Sequence, residues 1–452
     1  MLPPFAIVAR RRPVTLVATP DAFPLQAPYA AIEATLTGPA PAELALEGAD
    51  GTRLGVRLED GRAGLRVRVG GSDHALRSRR HGRCGTAPRR LGLALTGSHL
   101  AVLTVEQDAW VARGRIDLRE LGGPDTRDPG WLGTLRPQAS GSVSDVRAGT
   151  FGQLGLRDIR LVSHADGSPY RIGSEVLLTA TSAGPGFFDT AHTSVWSLSA
   201  DGEISWRSDL FFERPDRPGV YGDHATHLVR DGGRWLVATS TWSDFPARKA
   251  DRVPGRLGVT LAESDADLTR GRHVLASRRL ELPTDGPSVG TWDPHLARTA
   301  DGTWLVGFVS ARRFFDFHPV LAAGPSLDHL ALRGAATDRR ATEGTTLLRV
   351  GGPAEEWRVL ASDGHDNRRA VRGRFPVFDT ALRETGTLAA PYPTNIPWPT
   401  VIPPDPAVPG DVWRLVTFDG TRHGGRLAGY GTHGDVVIMS ERRDGPRNEG
   451  RA

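Results

Sequence analysis

Four stretches of this chain repeat one pattern: an apolar strand, a polar turn, and a second strand that carries a tryptophan. They are THLVRDGGRWLVATS (226–240), PHLARTADGTWLVGFVS (294–310), TTLLRVGGPAEEWRVLAS (345–362) and PTVIPPDPAVPGDVWRLVTF (399–418). Their tryptophans, Trp235, Trp304, Trp357 and Trp413, stand 69, 53 and 56 residues apart. A fifth copy without tryptophan, RDIRLVSHADGSPYRIGSEVLLTAT, fills 157–181, and third strands such as GVTLAESDADL (258–268) and VLAAGPSLDHL (320–330) follow the pairs. A repeat of this length is one supersecondary unit that cannot bury its apolar face alone, so its neighbours must stack on it. Five units of three or four strands predict an all-β fold, a five-bladed propeller over residues 150–445. The last copy is one strand short, and residues 150–156 are expected to supply it.

Ahead of the repeats, residues 1–140 show short strands at 30–36, 65–69, 91–95 and 100–105, some divided by turn pairs such as Asp60–Gly61 and Gly70–Gly71. Short apolar runs punctuated in this way predict a β-sandwich. The segment LGLALTGSHLAVLTVEQDAWVARGRIDL (91–118) resembles the back half of a concanavalin-like jelly roll. The small polar run PQASGSVSDVRAG (137–149) is the expected boundary.

Charge excludes some partners. The net charge is +4, and Lys249 is the sole lysine, so arginine has replaced lysine nearly throughout. No run of basic residues interleaves with aromatics as a nucleic-acid groove requires, and no nucleic-acid partner is expected. The cluster Arg77, Arg79, Arg80, Arg83, Arg89 and Arg90 reads as a solvated loop or an anion-binding edge. One cysteine, Cys84, excludes an intramolecular disulfide. No window is apolar enough to span a membrane, and the N-terminus MLPPFAIVARRRP lacks the apolar core of a signal peptide. The expected location is the cytoplasm.

The innermost strands of a propeller line a shared channel. Here they begin Arg157–Asp158–Ile159, Gly222–Asp223–His224, Trp292–Asp293–Pro294–His295, Thr342–Glu343–Gly344 and Asn395–Ile396–Pro397–Trp398. Four of the five put a carboxylate at nearly one position. Like charges converging on one channel cost energy unless a substrate, a cation or a shifted pKa compensates.

The run WDPHLARTADGTWLVGFVSAR, followed by EGTTLLRVGGPAEEWRVLASDG, resembles the five-bladed glycoside hydrolases of family 43 and its relatives, over about residues 155–440. Those enzymes carry an Asp-Pro-His strand, a D-G-x-[YW] turn and an E-G-P strand in the next blade. The resemblance implies Glu343 as general acid, Asp293 as the aspartate that orients the site and tunes the acid, and Asp158 as general base. Inverting hydrolysis needs such a protonated carboxyl and an opposed carboxylate. The sequence departs from the family where Ile159 follows Asp158 and Thr345 follows Glu343–Gly344, and Asp189 or Asp223 is an alternative base.

The remaining substrate-binding candidates are Asp189, Asp223, His224, Trp292, His295, Phe315 and Trp398. Aromatics near the funnel mouth suit sugar faces, and they also suit cationic intermediates. No cofactor is expected. A channel-bound divalent cation, held in the family by a last-blade histidine, is not favoured, because the last blade offers Asn395 and Trp398. Three functions remain open: a hydrolase of a small arabinofuranoside or xyloside, an acid-catalysed cyclase or rearrangement enzyme of specialised metabolism acting on a hydrophobic natural product, and a glycan-binding module.

Overall fold

The computed structural model describes residues 2–246, 248–351, 356–428 and 434–442, and these are almost entirely β-strand. Residues 352–355, the turn of the third tryptophan repeat, lie outside the described residues. No helix among those described is long and apolar enough to cross a membrane.

From residue 156 onward the chain lays down four-stranded units in sequence. Leu156–Leu161 (β1) starts the first, which continues through Glu175–Ser182, His192–Leu198 and Ile204–Arg214. His224–Asp231 (β2) starts the second, followed by Arg234–Ser240, Val259–Ser264 and Gly271–Arg279. Gly290–Arg298 (β3) opens the third, Thr342–Val350 (β4) the fourth and Thr400–Ile402 (β5) the last. The first two units fuse into one sheet because Ile204–Arg214 pairs in parallel with Gly271–Arg279.

Apolar clusters fill the space between successive units. Val162, Val195 and Leu210 of the first pack with Leu228 and Trp235 of the second. Leu236 and Leu261 meet Trp304 and Phe308, and Leu305 and Leu321 meet Trp357 and Val359. The fourth and fifth units share Leu348, Leu360, Val401 and Leu415. Ile159, Val176 and Trp196 then pack against Val416, Phe418 and Ile438, which brings the fifth unit back onto the first. The repeated tryptophan therefore has a packing cause: Trp235, Trp304 and Trp357 each fill the gap toward the preceding unit. An indole burying about 200 Å² is worth about 5 kcal/mol of transfer free energy before entropy is counted.

The closing strand is not residues 150–156. Phe5–Arg11 pairs antiparallel with Asp435–Glu441, from Phe5 opposite Glu441 to Arg11 opposite Val436, with one slip between Ile7 and Ala9. Residues 150–153 are already committed, because Val143–Gln153 pairs with both Tyr29–Leu36 and Thr15–Pro20. Three consecutive arginines fasten the closing strand: Arg10 to Asp419 at 2.8 Å, Arg11 to Glu203, and Arg12 to Asp435.

The residues between build two further sheets. One has six strands, in the order Ala109–Asp117, His99–Glu106, Arg90–Thr96, Tyr29–Leu36, Val143–Gln153 and Thr15–Pro20. The other has five, from Arg136–Gly141 through Ala42–Glu47, Arg53–Glu59 and Arg62–Val69 to Ser72–Leu76. A single cluster joins them, with Ile32, Leu93 and Val102 from one and Leu44, Leu54 and Leu65 from the other. The run 137–149 is thus strand rather than linker; its small polar residues suit Arg136–Gly141, an exposed edge that apolar side chains would make sticky. Through its other face the six-stranded sheet packs Leu16, Tyr29 and Phe151 against Phe211 and Val220 of the first unit. In the arginine cluster, Arg77, Arg89 and Arg90 pair with Glu59, Asp108 and Glu33.

Candidate active site

One backbone irregularity recurs along the inner strands. Asp158, Ala225, Asp293, Gly344 and Ile396 have φ of 52°, 61°, 57°, 72° and 52°. In β1 to β4 the ladder slips at that residue, between 157 and 160, 224 and 227, 292 and 295, and 343 and 346. A left-handed residue inside a bulge bends the strand and re-aims its side chains. Non-glycine residues hold such angles only where the surroundings enforce them, and such strain concentrates at functional sites. Only glycine fits at 344, where a Cβ would lie 2.5 Å from the Trp398 ring.

These bulges open onto a cavity of about 320 Å³ lined by residues from all five inner strands or their lead-ins, among them Asp158, His224, Trp292, Asp293, Glu343, Ile396 and Trp398. Three carboxyls meet there. Glu343 is pushed up to about 8, first by burial and then by the Asp158 charge; the indoles of Trp292 and Trp398 and the Arg160 guanidinium oppose the rise. Burial, and after it Glu343, raises Asp293 well above the ordinary carboxylate range. The Asp293 Oδ2 accepts from the Gly344 amide at 3.5 Å, which ties it to β4. Asp158 is raised by burial and restrained chiefly by Arg157, whose Nε lies 3.4 Å from its carboxylate. The three groups therefore differ in the way that divides acid from base: a proton resides on Glu343 at neutral pH, and Asp158 has a dedicated cation.

Arg160 underpins the cluster and was not singled out from the sequence. Fully buried, it donates to the carbonyls of Thr345 at 2.9 Å and Asp293 at 2.8 Å and lies 4.5 Å over the Trp398 ring. Burial lowers it to about 10, while Asp293, Asp158 and Glu343 pull it back up. A second arginine three residues after Arg157, between Ile159 and Leu161, is its sequence signal.

Much of the rest of the wall is aromatic. Phe188 lies 4.2 Å from Phe187 and 4.6 Å from Trp242, and Trp242 reaches Trp292 at 5.4 Å. Phe314 joins Phe245 at 5.3 Å, and Arg252 covers Phe245, Phe314 and Phe315 at the mouth. Phe315, at 69% exposure, is the outermost of these rings.

Three expected residues sit elsewhere. Asp223 precedes the strand that begins at His224 and does not line the cavity; it takes a bond from Arg214 Nε at 2.7 Å and another from the Ser243 hydroxyl at 3.0 Å. The four carboxylates are consequently not in one register: Asp158 and Asp293 occupy the bulge, Glu343 stands one residue before it, and Asp223 two. Asp189 lies behind the cavity wall, 3.6 Å from His99 Nδ1 of the six-stranded sheet. His295 is buried and stacks on His227 at 3.8 Å without lining the cavity. Among the described residues no three His, Cys, Asp or Glu side chains converge as a metal group.

No family model matches the sequence, and no curated protein matches it. Solved structures similar to the chain include glycoside hydrolases. An α-L-arabinanase of Penicillium chrysogenum, complexed with arabinobiose, shares 11% identity over 97% of this chain and 98% of its own, with a TM-score of 0.37. A family 117 glycoside hydrolase of Zobellia galactanivorans shares 10% over 64% and 91%, TM-score 0.42. A GH43_1 enzyme of Xanthomonas citri, complexed with xylose, shares 13% over 62% and 87%, TM-score 0.39.

Proposed function

We propose that this chain is a glycoside hydrolase that works by inversion, built as a five-bladed β-propeller with a β-sandwich inserted after its closing strand. The observation that carries the reading is the division of labour among three carboxyls in one aromatic-walled cavity. Glu343 holds its proton to about pH 8 and is the general acid for the departing glycosidic oxygen. Asp158, paired with Arg157, is the base that takes a proton from water. Asp293, held by the Gly344 amide, shares the cavity with Glu343, whose charge helps keep Asp293 protonated, and it is the positioning carboxyl. As the acid loses its proton, the indole N–H groups of Trp292 and Trp398 and the Arg160 guanidinium favour the resulting carboxylate. The aromatic rings supply stacking surfaces for a sugar, and the cavity suits a mono- or disaccharide-sized glycoside of the arabinofuranoside or xyloside type.

The test is a panel of aryl α-L-arabinofuranosides and β-D-xylosides, with the product anomer followed by NMR. Hydrolysis with inversion, lost in Glu343→Gln and Asp158→Asn, is the expected result. Retention of configuration, or full activity in Glu343→Gln, would overturn it. Inversion also requires the carboxyls of Asp158 and Glu343 to stand about 6.5–9.5 Å apart in the complex.

A second reading draws on the same wall. Rings from Phe187 to Phe317 around one acid also suit a carbocation, so an acid-catalysed cyclisation of an unsaturated hydrocarbon chain is the alternative. Turnover of a polyprenyl substrate with no glycosidase activity would select it.

A further inference from the structure

His224 has a hydrogen-bonding requirement that the protein does not meet. Its ring lines the cavity and is 1% exposed. Nδ1 lies 3.1 Å from the Gly222 carbonyl, an oxygen that can only accept, so the proton of the neutral ring sits on Nδ1. Nε2 is then an acceptor, and it is buried with no hydrogen-bond partner. The ring is also kept neutral: burial, then the positive charge of Arg157, drives its pKa well below the usual histidine range, with His192 and Arg214 adding to the effect.

The local fold locks this tautomer. Gly222 cannot carry a side chain, because a Cβ there would meet the Tyr29 hydroxyl at 2.1 Å. That hydroxyl donates to the Ala191 carbonyl at 2.7 Å, so the six-stranded sheet backs the turn that holds the imidazole. On the other side, the amide of Ala225 donates to Thr181 Oγ1 at 3.2 Å and fixes the bulge. An imidazole this constrained cannot rotate to find a partner, and an acceptor left unpaired in the interior is destabilising.

We infer that His224 is a specificity determinant, whose Nε2 accepts a hydrogen bond from a hydroxyl group of the bound ligand. The inference rests on the placing of substrate in this cavity and deepens it: the ligand is a ring bearing a free hydroxyl beside β2, and a bare hydrocarbon would leave Nε2 unpaired. Sites built to bond a substrate hydroxyl discriminate strongly against analogues that lack it.

The experiment uses the full chain labelled with [15N]histidine, titrated with L-arabinose, D-xylose, cyclohexanol and toluene while the His224 Nε2 resonance is followed. Hydroxylated probes should shift that resonance and toluene should not. In His224→Phe, which preserves an aromatic ring, binding of the hydroxylated probes should weaken roughly tenfold, the value of one neutral hydrogen bond. His224→Gln, which carries an acceptor to about the Nε2 position, should recover part of the loss. An Nε2 resonance unmoved by every hydroxylated probe, or sugar binding unchanged in His224→Phe, overturns the inference. The two readings fail separately. Sugars that bind without moving Nε2 remove the role of His224 and leave the hydrolase. Cyclohexanol moving Nε2 where neither sugar binds keeps the role and removes the glycoside.

Discussion

Glu343→Gln gives a stability signature that needs no knowledge of the substrate. In the unfolded chain the Glu343 carboxyl titrates near its ordinary 4.5, and in the folded protein it holds its proton to about pH 8. Between those values the native state binds a proton that the unfolded state has released, so stability falls as pH rises. At about 1.4 kcal/mol per pH unit the loss reaches about 5 kcal/mol by pH 8 and then levels off. Below pH 4.5 both states are protonated and nothing is lost. Glutamine keeps the shape and hydrogen-bonding capacity of the neutral acid and does not titrate. Urea denaturation of wild type and Glu343→Gln at each pH from 4 to 9 is the assay. The variant should gain on wild type progressively from pH 4.5 to 8, whatever their offset at pH 4. Part of the slope belongs to Asp293 and Asp158, which couple to the same proton, so the measured gain is an upper-bounded fraction of 5 kcal/mol. A difference between the proteins that stays flat across the range would mean that Glu343 is ionised in the folded state, and would remove its assignment as the acid.

Other outcomes follow from the same geometry. Asp158→Asn should cut hydrolysis of an aryl arabinofuranoside by about 10²–10⁴-fold, the usual worth of a general base, and should also lower thermal stability, because Arg157 stays buried without that carboxylate. Trp292→Phe or Trp398→Phe removes an N–H that favours ionised Glu343, so the alkaline limb of the pH–rate profile should move up by about half a pH unit to one pH unit. Gly344→Ala puts a methyl group 2.5 Å from the Trp398 ring at a φ of 72°, and should cost about 2–4 kcal/mol in denaturant unfolding. Asp223→Asn leaves Arg214 buried against Asp244 alone and should destabilise by about 3 kcal/mol, whereas substrate affinity in the surviving folded fraction should be unchanged.

The repeat was legible because its tryptophans have one packing job, filling the space toward the preceding unit, and a packing job recurs at the repeat period. Asp293 and Glu343 stand out in the sequence because they sit on strands that open with recognisable runs, and both line the cavity. The error over Asp223 has a definite source. Alternation with period two assigns faces correctly only along an unbroken strand, and each of the first four inner strands slips at a left-handed residue just where the carboxylates cluster. A sequence shows the carboxylate but not which side of the bulge it falls on. His224 and His227, three residues apart, do part company: the first lines the cavity and the second stacks on His295. The closing strand escaped notice because FAIVARR shares nothing with the repeats and pairs with residues at the opposite end of the chain. The 137–149 run reads as a boundary because edge strands favour the small polar residues that boundaries also use.

That closing strand has a kinetic meaning. Arg10 and Asp419, which it joins, are 409 positions apart, so the last pairing of the ring must be made against the loop-closure entropy of nearly the whole chain. Until it forms, Val436, Val437, Ile438 and Met439 lie along an open sheet edge, the kind of surface on which chains associate. The arginines at 10, 11 and 12 meet carboxylates on three different segments, which lets charge attraction guide the strand home before its apolar residues dock. Refolding should accordingly slow as salt screens those pairs. A chain shortened to the repeats alone would keep every cavity residue and lose the strand that lets the circle shut.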